Sequence, residues 1–318
     1  MQNLNTYQKD DILINNDCKG GDVLNLNSCT LCPRNCRVDR TQGKTGVCKM
    51  TDRVKIARAA LHMWEEPCIS GSVGSGTVFF VGCSLGCVYC QNKPVSRALV
   101  GKEVSVSRLV QIYFDLKSKG SANINLVTPD HYIPQIATSL ELARGSGLDI
   151  PVVYNTSSYV HPQSLDMLDG LVDIYLPDMK YIDKEFSKKY SLAADYPEAA
   201  KKAIDAMVKQ VGAPVFDQNG MMTKGVIVRH LVLPGNVLNS KKVIKYLYET
   251  YGDSIYISIM SQYTPCTDLS AYPEINRTLT QSEYDRVVDY ACALGIKNAF
   301  IQEGSSASES FIPDFDFK

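Results

Sequence analysis

From Thr77 onward the chain repeats one unit: a short apolar run, a break, then a segment with apolar residues at helical spacing. The runs Thr77–Val81, Asn123–Thr128, Pro151–Thr156, Asp173–Lys180, Gly225–Pro234, Tyr256–Tyr263 and Asn298–Glu303 read as strands. Between them Val106–Lys117, Tyr132–Ala143, Pro162–Leu168, Tyr196–Val211, Ser240–Tyr251 and Leu279–Leu294 read as helices. In Val106–Lys117, the residues Leu109, Val110, Ile112, Tyr113 and Leu116 share one face, the period of a helix buried on one side. Pro197 falls in the first turn of its helix, where the missing N–H has no partner anyway. Apolar strands alternating with amphipathic helices specify an α/β fold on a parallel sheet, because parallel strands need crossovers that cover the sheet faces. A sheet of six or more such strands can curl into a full or partial barrel, here preceded by a small N-terminal cysteine-rich module. In such sheets chemistry gathers at the carboxyl ends of the strands.

Composition narrows the function classes. Among 318 residues, 33 Lys+Arg stand against 34 Asp+Glu, so no basic excess exists to displace counterions from nucleic acid. At 45% hydrophobic and 21% charged, disorder and coiled coil are excluded as whole-chain answers. Met1–Asp10 is polar, without a basic-then-apolar pattern. Residues 67–92 carry no charge, but Gly71, Gly74, Gly76, Gly82 and Gly86 break that stretch into loop, strand and loop. The expectation is a cytoplasmic protein with no membrane or nucleic-acid partner. The expected division is 1–70 for the four-cysteine module and lead-in, 71–304 for the barrel and 305–318 for a tail. That tail carries Phe311, Ile312, Phe315 and Phe317, able to fold back over apolar surface.

The eleven cysteines are clustered. In a reducing compartment such clusters serve metal or redox chemistry more often than disulfides. Cys83, Cys87 and Cys90 have the spacing C-x3-C-x2-C directly after the first barrel strand. Three adjacent thiolates repel one another unless a cation neutralises them, and soft thiolates suit zinc, copper(I) or iron–sulfur. Three ligands leave a position open for a reactive partner, whereas a closed structural site fills all four. Cys29, Cys32, Cys36 and Cys48 form such a four-ligand set, for which zinc and iron–sulfur both remain open. No βαβ pattern surrounds Cys29 and Cys32, which argues against a thioredoxin-like pair. Cys18, Cys68, Cys266 and Cys292 are singles, read as buried or inert thiols.

The segment VGCSLGCVYCQN, with Tyr89 before the last cysteine, resembles the radical S-adenosylmethionine (radical SAM) superfamily. Residues 28–304 look like its pyruvate formate-lyase activating enzyme-like branch, through SCTLCPRNC, EEPCISGSVGSG, NINLVTPDHY, VYNTSSY, LPDMKY, VRHLVLPG and QYTP. The resemblance implies an α/β fold with a partial (βα)6 barrel, and a 4Fe–4S cluster on Cys83, Cys87 and Cys90 whose open iron binds S-adenosylmethionine (SAM). It also implies an electron donor such as flavodoxin or ferredoxin. Reductive cleavage of SAM then gives a 5′-deoxyadenosyl radical that abstracts a hydrogen atom. By the same resemblance the cofactor is met by Tyr89, Thr128, Asn155, Thr156, Asp178, Lys180, Arg229 and His230. Two departures stand out: Asn155 replaces the aspartate that often ends the third strand of glycyl-radical activases, and Val127-Thr128-Pro129 replaces a glycine-rich turn. The four-cysteine segment also differs from the patterns of those activases.

Plainer readings accompany these. Asp178 and Lys180 alone would make a surface ion pair. Arg229 and His230 are adjacent on a strand and face opposite sides, so at most one of them points into the barrel. Glu65 and Glu66 are adjacent and are expected not to converge on one point. Gly71, Gly74 and Gly76 precede a strand, which does not fit a dinucleotide loop. His62, His131, His161 and His230 show no ligand spacing. The substrate the resemblance implies is a glycine of a partner protein, converted to a glycyl radical. The rival is radical modification of another peptide or a small molecule. A reading from another class is a non-enzymatic iron–sulfur or zinc protein for electron transfer or scaffolding. No catalytic residue is assigned.

Overall fold

A computed structural model describes residues 26–302. Cys18, the tail residues beyond 304 and the Glu303 end of the last expected strand lie outside the described residues. The strands are β1 (Val54–His62), β2 (Ser75–Phe80), β3 (Lys102–Val104), β4 (Ile124–Val127) and β5 (Val152–Thr156). They continue as β6 (Ile174–Pro177), β7 (Val215–Phe216), β8 (Met222–Leu231), β9 (Tyr256–Met260) and β10 (Ala299–Ile301). The helices are α1 (Pro67–Ser70), α2 (Lys93–Ser96), α3 (Val106–Ser118), α4 (Ile133–Gly145) and α5 (Pro162–Leu165). After them come α6 (Lys184–Ser191), α7 (Tyr196–Val211), α8 (Val237–Tyr251) and α9 (Gln281–Ala293).

The expected α/β fold is present. The strand order is β10-β9-β8-β6-β5-β4-β2-β1-β3, with β7 on β8. The pairs from β2 to β10 along this path are all parallel, and these strands are the seven apolar runs of the sequence. Every residue of β2 and of β6 is buried, as expected where both faces of a sheet are covered. Helix ends follow local chemistry. The Ser105 side chain accepts from Arg108 N–H to start α3. Thr280 and Glu283 form a reciprocal capping box on α9.

The sequence reading differs from the fold at three strands and three helices, of which α1 and α2 are single turns of four residues. β1 joins the sheet antiparallel to β2 and carries β3 on its other edge. Its sequence, VKIARAALH, is alanine-rich with interspersed charge, and pairing with β2 supplies what its composition does not. β3 and β7 are too short to show a period. α6 is polar along most of its length and is held by the Asp183 cap, which accepts from Glu185 N–H at 2.8 Å. One cavity touches His62 at the end of β1 and Phe300 on β10, so the two sides of the sheet approach each other and the sheet curls. Among the described residues no helix is long and apolar enough to cross a membrane.

Candidate functional site

Strand β2 delivers the chain directly into the loop Val81–Asn92. Gly82 has φ +92°, and a Cβ there would lie 2.5 Å from Met50 Cγ and 2.7 Å from the Cys48 carbonyl oxygen. Only glycine fits that approach. Cys83, Cys87 and Cys90 all line a cavity of about 570 Å³. Each sulfur meets a hydrogen-bond donor. Gly86 N–H serves Cys83, and the Ser191 hydroxyl donates to Cys87 Sγ at 3.0 Å. Cys90 receives the Ser96 hydroxyl and Asn92 N–H. Burial pushes the Cys83 thiol up to about 12, and the neighbouring Cys87 and Cys90 push the same way. Burial raises Cys90 as well. Without a cation these groups stay protonated; a bound metal reverses that preference. Among the described residues no three such side chains close around the position of a single metal ion. A polynuclear cluster holds its ligands farther apart than a single ion does, and donors aimed at each sulfur suit thiolate ligands.

The other walls of the cavity come from strand ends. Thr128, Asn155, Thr156, Asp178, Lys180 and Arg229 all line it, as does Tyr89. Thr128 has φ +58° and its N–H donates to the Asn155 carbonyl at 2.8 Å. Lys180 Nζ donates to Asp178 Oδ2 at 2.6 Å in a largely buried pair. Burial alone would lower the Lys180 ammonium, but Asp178, Cys87 and Tyr196 together outweigh it and hold the group above its usual value. The Tyr89 hydroxyl accepts from Tyr181 at 2.7 Å, fixing the ring beside the cysteines. Burial raises the Tyr89 phenol far above its usual value, so it stays protonated.

His230 does not line the cavity; its Nδ1 bonds the Met179 carbonyl at 2.7 Å, and burial holds its pKa near 4. The Thr156 hydroxyl is committed to Asp130 Oδ1 at 2.7 Å, which Tyr154 also serves at 3.1 Å. Asp130 Oδ2 has no partner, and burial pushes this carboxyl up to about 6. Asp130 is a site-supporting residue that the sequence reading missed; its signal was an acid three positions past the end of β4.

Glu65 and Glu66 overturn their expectation. Both converge on Arg229: its Nε and Nη2 donate to Glu66, and Nη2 also to Glu65. All three side chains are at most 9% exposed. The expectation treated adjacent residues as pointing apart. Glu66 instead stands at the start of α1, with φ −53° and ψ 148°, where strand alternation does not apply.

Residues 77–247 match the family described as the Radical SAM superfamily. The chain belongs to that superfamily. Radical SAM proteins use a 4Fe–4S cluster and SAM, and the three donor-supported cysteines on the loop after β2 fit that set. The uncharacterized protein MJ0674 of Methanocaldococcus jannaschii is 28% identical over 274 residues, 83% of this chain and 74% of its own. A crystal structure of Streptococcus suis SuiB bound to precursor peptide SuiA is 11% identical, with a TM-score of 0.48. Another, bound to SAM, is 12% identical with a TM-score of 0.47. These alignments cover 70% and 74% of this chain but 47% and 51% of those chains, about half their length.

The four-cysteine segment lies against the radical SAM loop. Cys29, Cys32, Cys36 and Cys48 are free of disulfides. Arg34 N–H bonds the Cys32 sulfur, Met50 N–H the Cys48 sulfur, and Val47 N–H reaches Cys36 Sγ at 3.4 Å. Burial pushes Cys32 up to about 12, and Cys48, Cys29 and Cys36 add to it. Arg34, between two of these cysteines, donates to the carbonyls of Ser84 at 3.0 Å and Leu85 at 3.2 Å. It also caps α6 through the carbonyls of Ser191 at 3.1 Å and Leu192 at 2.6 Å, where a cation suits the helix dipole. Arg40, fully buried, donates to the His131 carbonyl at 2.6 Å, and His131 Nε2 bonds the Val81 carbonyl at 2.7 Å. The singles differ among themselves: Cys68 is buried, whereas Cys266 and Cys292 are exposed.

Proposed function

We propose that Cys83, Cys87 and Cys90 hold the cluster and that Thr128, Asn155, Thr156, Asp178 and Lys180 surround SAM at the strand ends. The observation that carries this reading is that three cysteines, with no fourth among the described residues, line one cavity with the strand-end residues. When bound, cluster and SAM together supply a 5′-deoxyadenosyl radical that takes a hydrogen atom from substrate. The chain's own residues bind and orient. Lys180, drawn toward Asp178, places a fixed positive charge in the cavity. The Thr128 backbone, in a left-handed conformation, turns the chain at the end of β4. Tyr89 packs edge-on to Tyr190 and Tyr263 and keeps water from the cysteine loop. The assignments of Arg229 and His230 to the cofactor have less support: one is engaged by two glutamates, the other lies outside the cavity.

The substrate reading favoured by this cavity is a peptide or small molecule bearing a polar group. A glycine of a partner protein has no side chain to meet the charged floor made by Glu65, Glu66 and Arg229. The four-cysteine set is read as a second metal site: its ligands do not close around a single ion position either, and the N–H groups placed on three of its sulfurs support thiolate ligation.

The test is anaerobic reduction with SAM and quantitation of 5′-deoxyadenosine. Wild type is expected to form it, and Cys83→Ala, Cys87→Ala and Cys90→Ala to lose it. Metal analysis of the triple variant is expected to retain zinc or iron at the four-cysteine set. Deoxyadenosine formation by the triple variant would overturn the cluster assignment; a triple variant devoid of metal would overturn the second site.

A further inference from the structure

The floor of the cavity holds more acceptor capacity and more negative charge than its own donors meet. Glu66 is saturated: Arg229 donates to both its oxygens, and the Ser258 hydroxyl and its own backbone N–H bring the bonds to four. Glu65 receives one bond from Arg229 and one from Asn125 Nδ2, the latter at 2.8 Å. A carboxylate has about four lone-pair sites, so about two remain on Glu65. Asn125 contributes a second acceptor. Its Nδ2 is fixed on Glu65, its Oδ1 has no partner, and the residue is fully buried. Asn125 is not itself among the residues lining the cavity; it stands behind Glu65, on the strand face of Val127, which does line it. Within the triad two carboxylates share one guanidinium. His62 at the same end is held neutral, mainly by burial, with Glu65 opposing and Arg229 and Arg58 reinforcing. Arg58 is not among the residues lining the cavity.

A surplus carboxylate beside a partnerless buried acceptor is costly unless a donor-rich cation completes it. From this we infer that Glu65, held in place by Asn125 behind it, is the recognition site for a cationic nitrogen group of the substrate, a primary ammonium or a guanidinium. Both present several N–H donors and a positive charge, which are what Glu65 lacks. Trp64 is exposed at the rim beside Glu65, and a group entering the cavity passes this indole. The inference rests on the reading of the cavity as the substrate chamber and names the chemistry that chamber selects.

Trp64 is the single tryptophan of the chain, so its fluorescence reports this rim alone. The experiment titrates anaerobic, cluster-loaded protein with n-butylammonium, n-butylguanidinium, 1-butanol and butyrate, and separately with an N-acetyl-lysine amide. Saturable fluorescence change with the cationic probes only, weakened at least tenfold in Glu65→Gln, is the expected result. Tighter binding of the lysine amide would assign the cation to a peptide side chain, and tighter binding of butylammonium to a small amine. Equal binding of 1-butanol or butyrate by the unmutated protein would overturn the site without recourse to any variant, as would an unchanged titration in a folded Glu65→Gln protein. Deoxyadenosine measured on the same samples separates the two readings. Cleavage without charge selectivity removes this site alone, and charge selectivity without cleavage removes the enzymatic reading.

Discussion

Arg34→Ala should loosen the cysteine loop from outside the cavity. The guanidinium donates to four carbonyls, those of Ser84, Leu85, Ser191 and Leu192. Three of these bonds are part-buried and the one to Leu192 is exposed. At about 1 kcal/mol for each part-buried bond, the variant weakens docking of the loop by about 3 kcal/mol. That corresponds to roughly a hundredfold larger open population of the loop, since about 1.4 kcal/mol is a factor of ten. Amide hydrogen exchange followed by mass spectrometry reads this directly. Peptides spanning residues 83–90 and the end of α6 are expected to exchange roughly a hundredfold faster, with α8 and α9 unchanged. Iron and sulfide per chain should fall in parallel. Unchanged exchange in the loop would refute the reasoning, and so would a uniform acceleration over the whole chain.

Gly82→Ala puts a Cβ 2.5 Å from Met50 Cγ on a residue with φ +92°. The expected cost is about 2–4 kcal/mol from strain and overpacking, read as a lower Tm; an unchanged Tm contradicts the close approach. Asp130 has a folded pKa near 6 against an ordinary 3.8. Its contribution to stability is therefore present below about pH 3.8 and lost as pH rises through about 6. The loss amounts to about 3 kcal/mol. Urea unfolding at pH 4 and pH 7.5 should show that this part of the decline is missing from Asp130→Asn; parallel pH profiles for the two proteins would contradict it.

The parallel sheet was legible because seven apolar runs, from Thr77–Val81 to Asn298–Glu303, each have the length and composition of a buried strand. β1 was not, since its alanines carry no strand period and its place depends on the edge offered by β2. The cysteines of the cavity could be read from spacing alone, because one loop supplies all three. The Glu66–Arg229 contact joins residues 163 positions apart, and nothing local announces it. Asp130 was overlooked for a different reason. Its role comes from Tyr154 and Thr156 on the neighbouring strand, and parallel pairing alone brings those groups to it. The docking of the four-cysteine segment was equally hidden, because Arg34 acts on carbonyls, which every residue has.

The central claim is an iron–sulfur cluster held by Cys83, Cys87 and Cys90 with one coordination position left for SAM. Electron paramagnetic resonance of the reduced protein, recorded before and after adding SAM labelled with nitrogen-15 at its amino group, tests it most directly. The account predicts an altered spectrum with hyperfine coupling to that nitrogen. A reduced-cluster spectrum that is identical with and without SAM would contradict it.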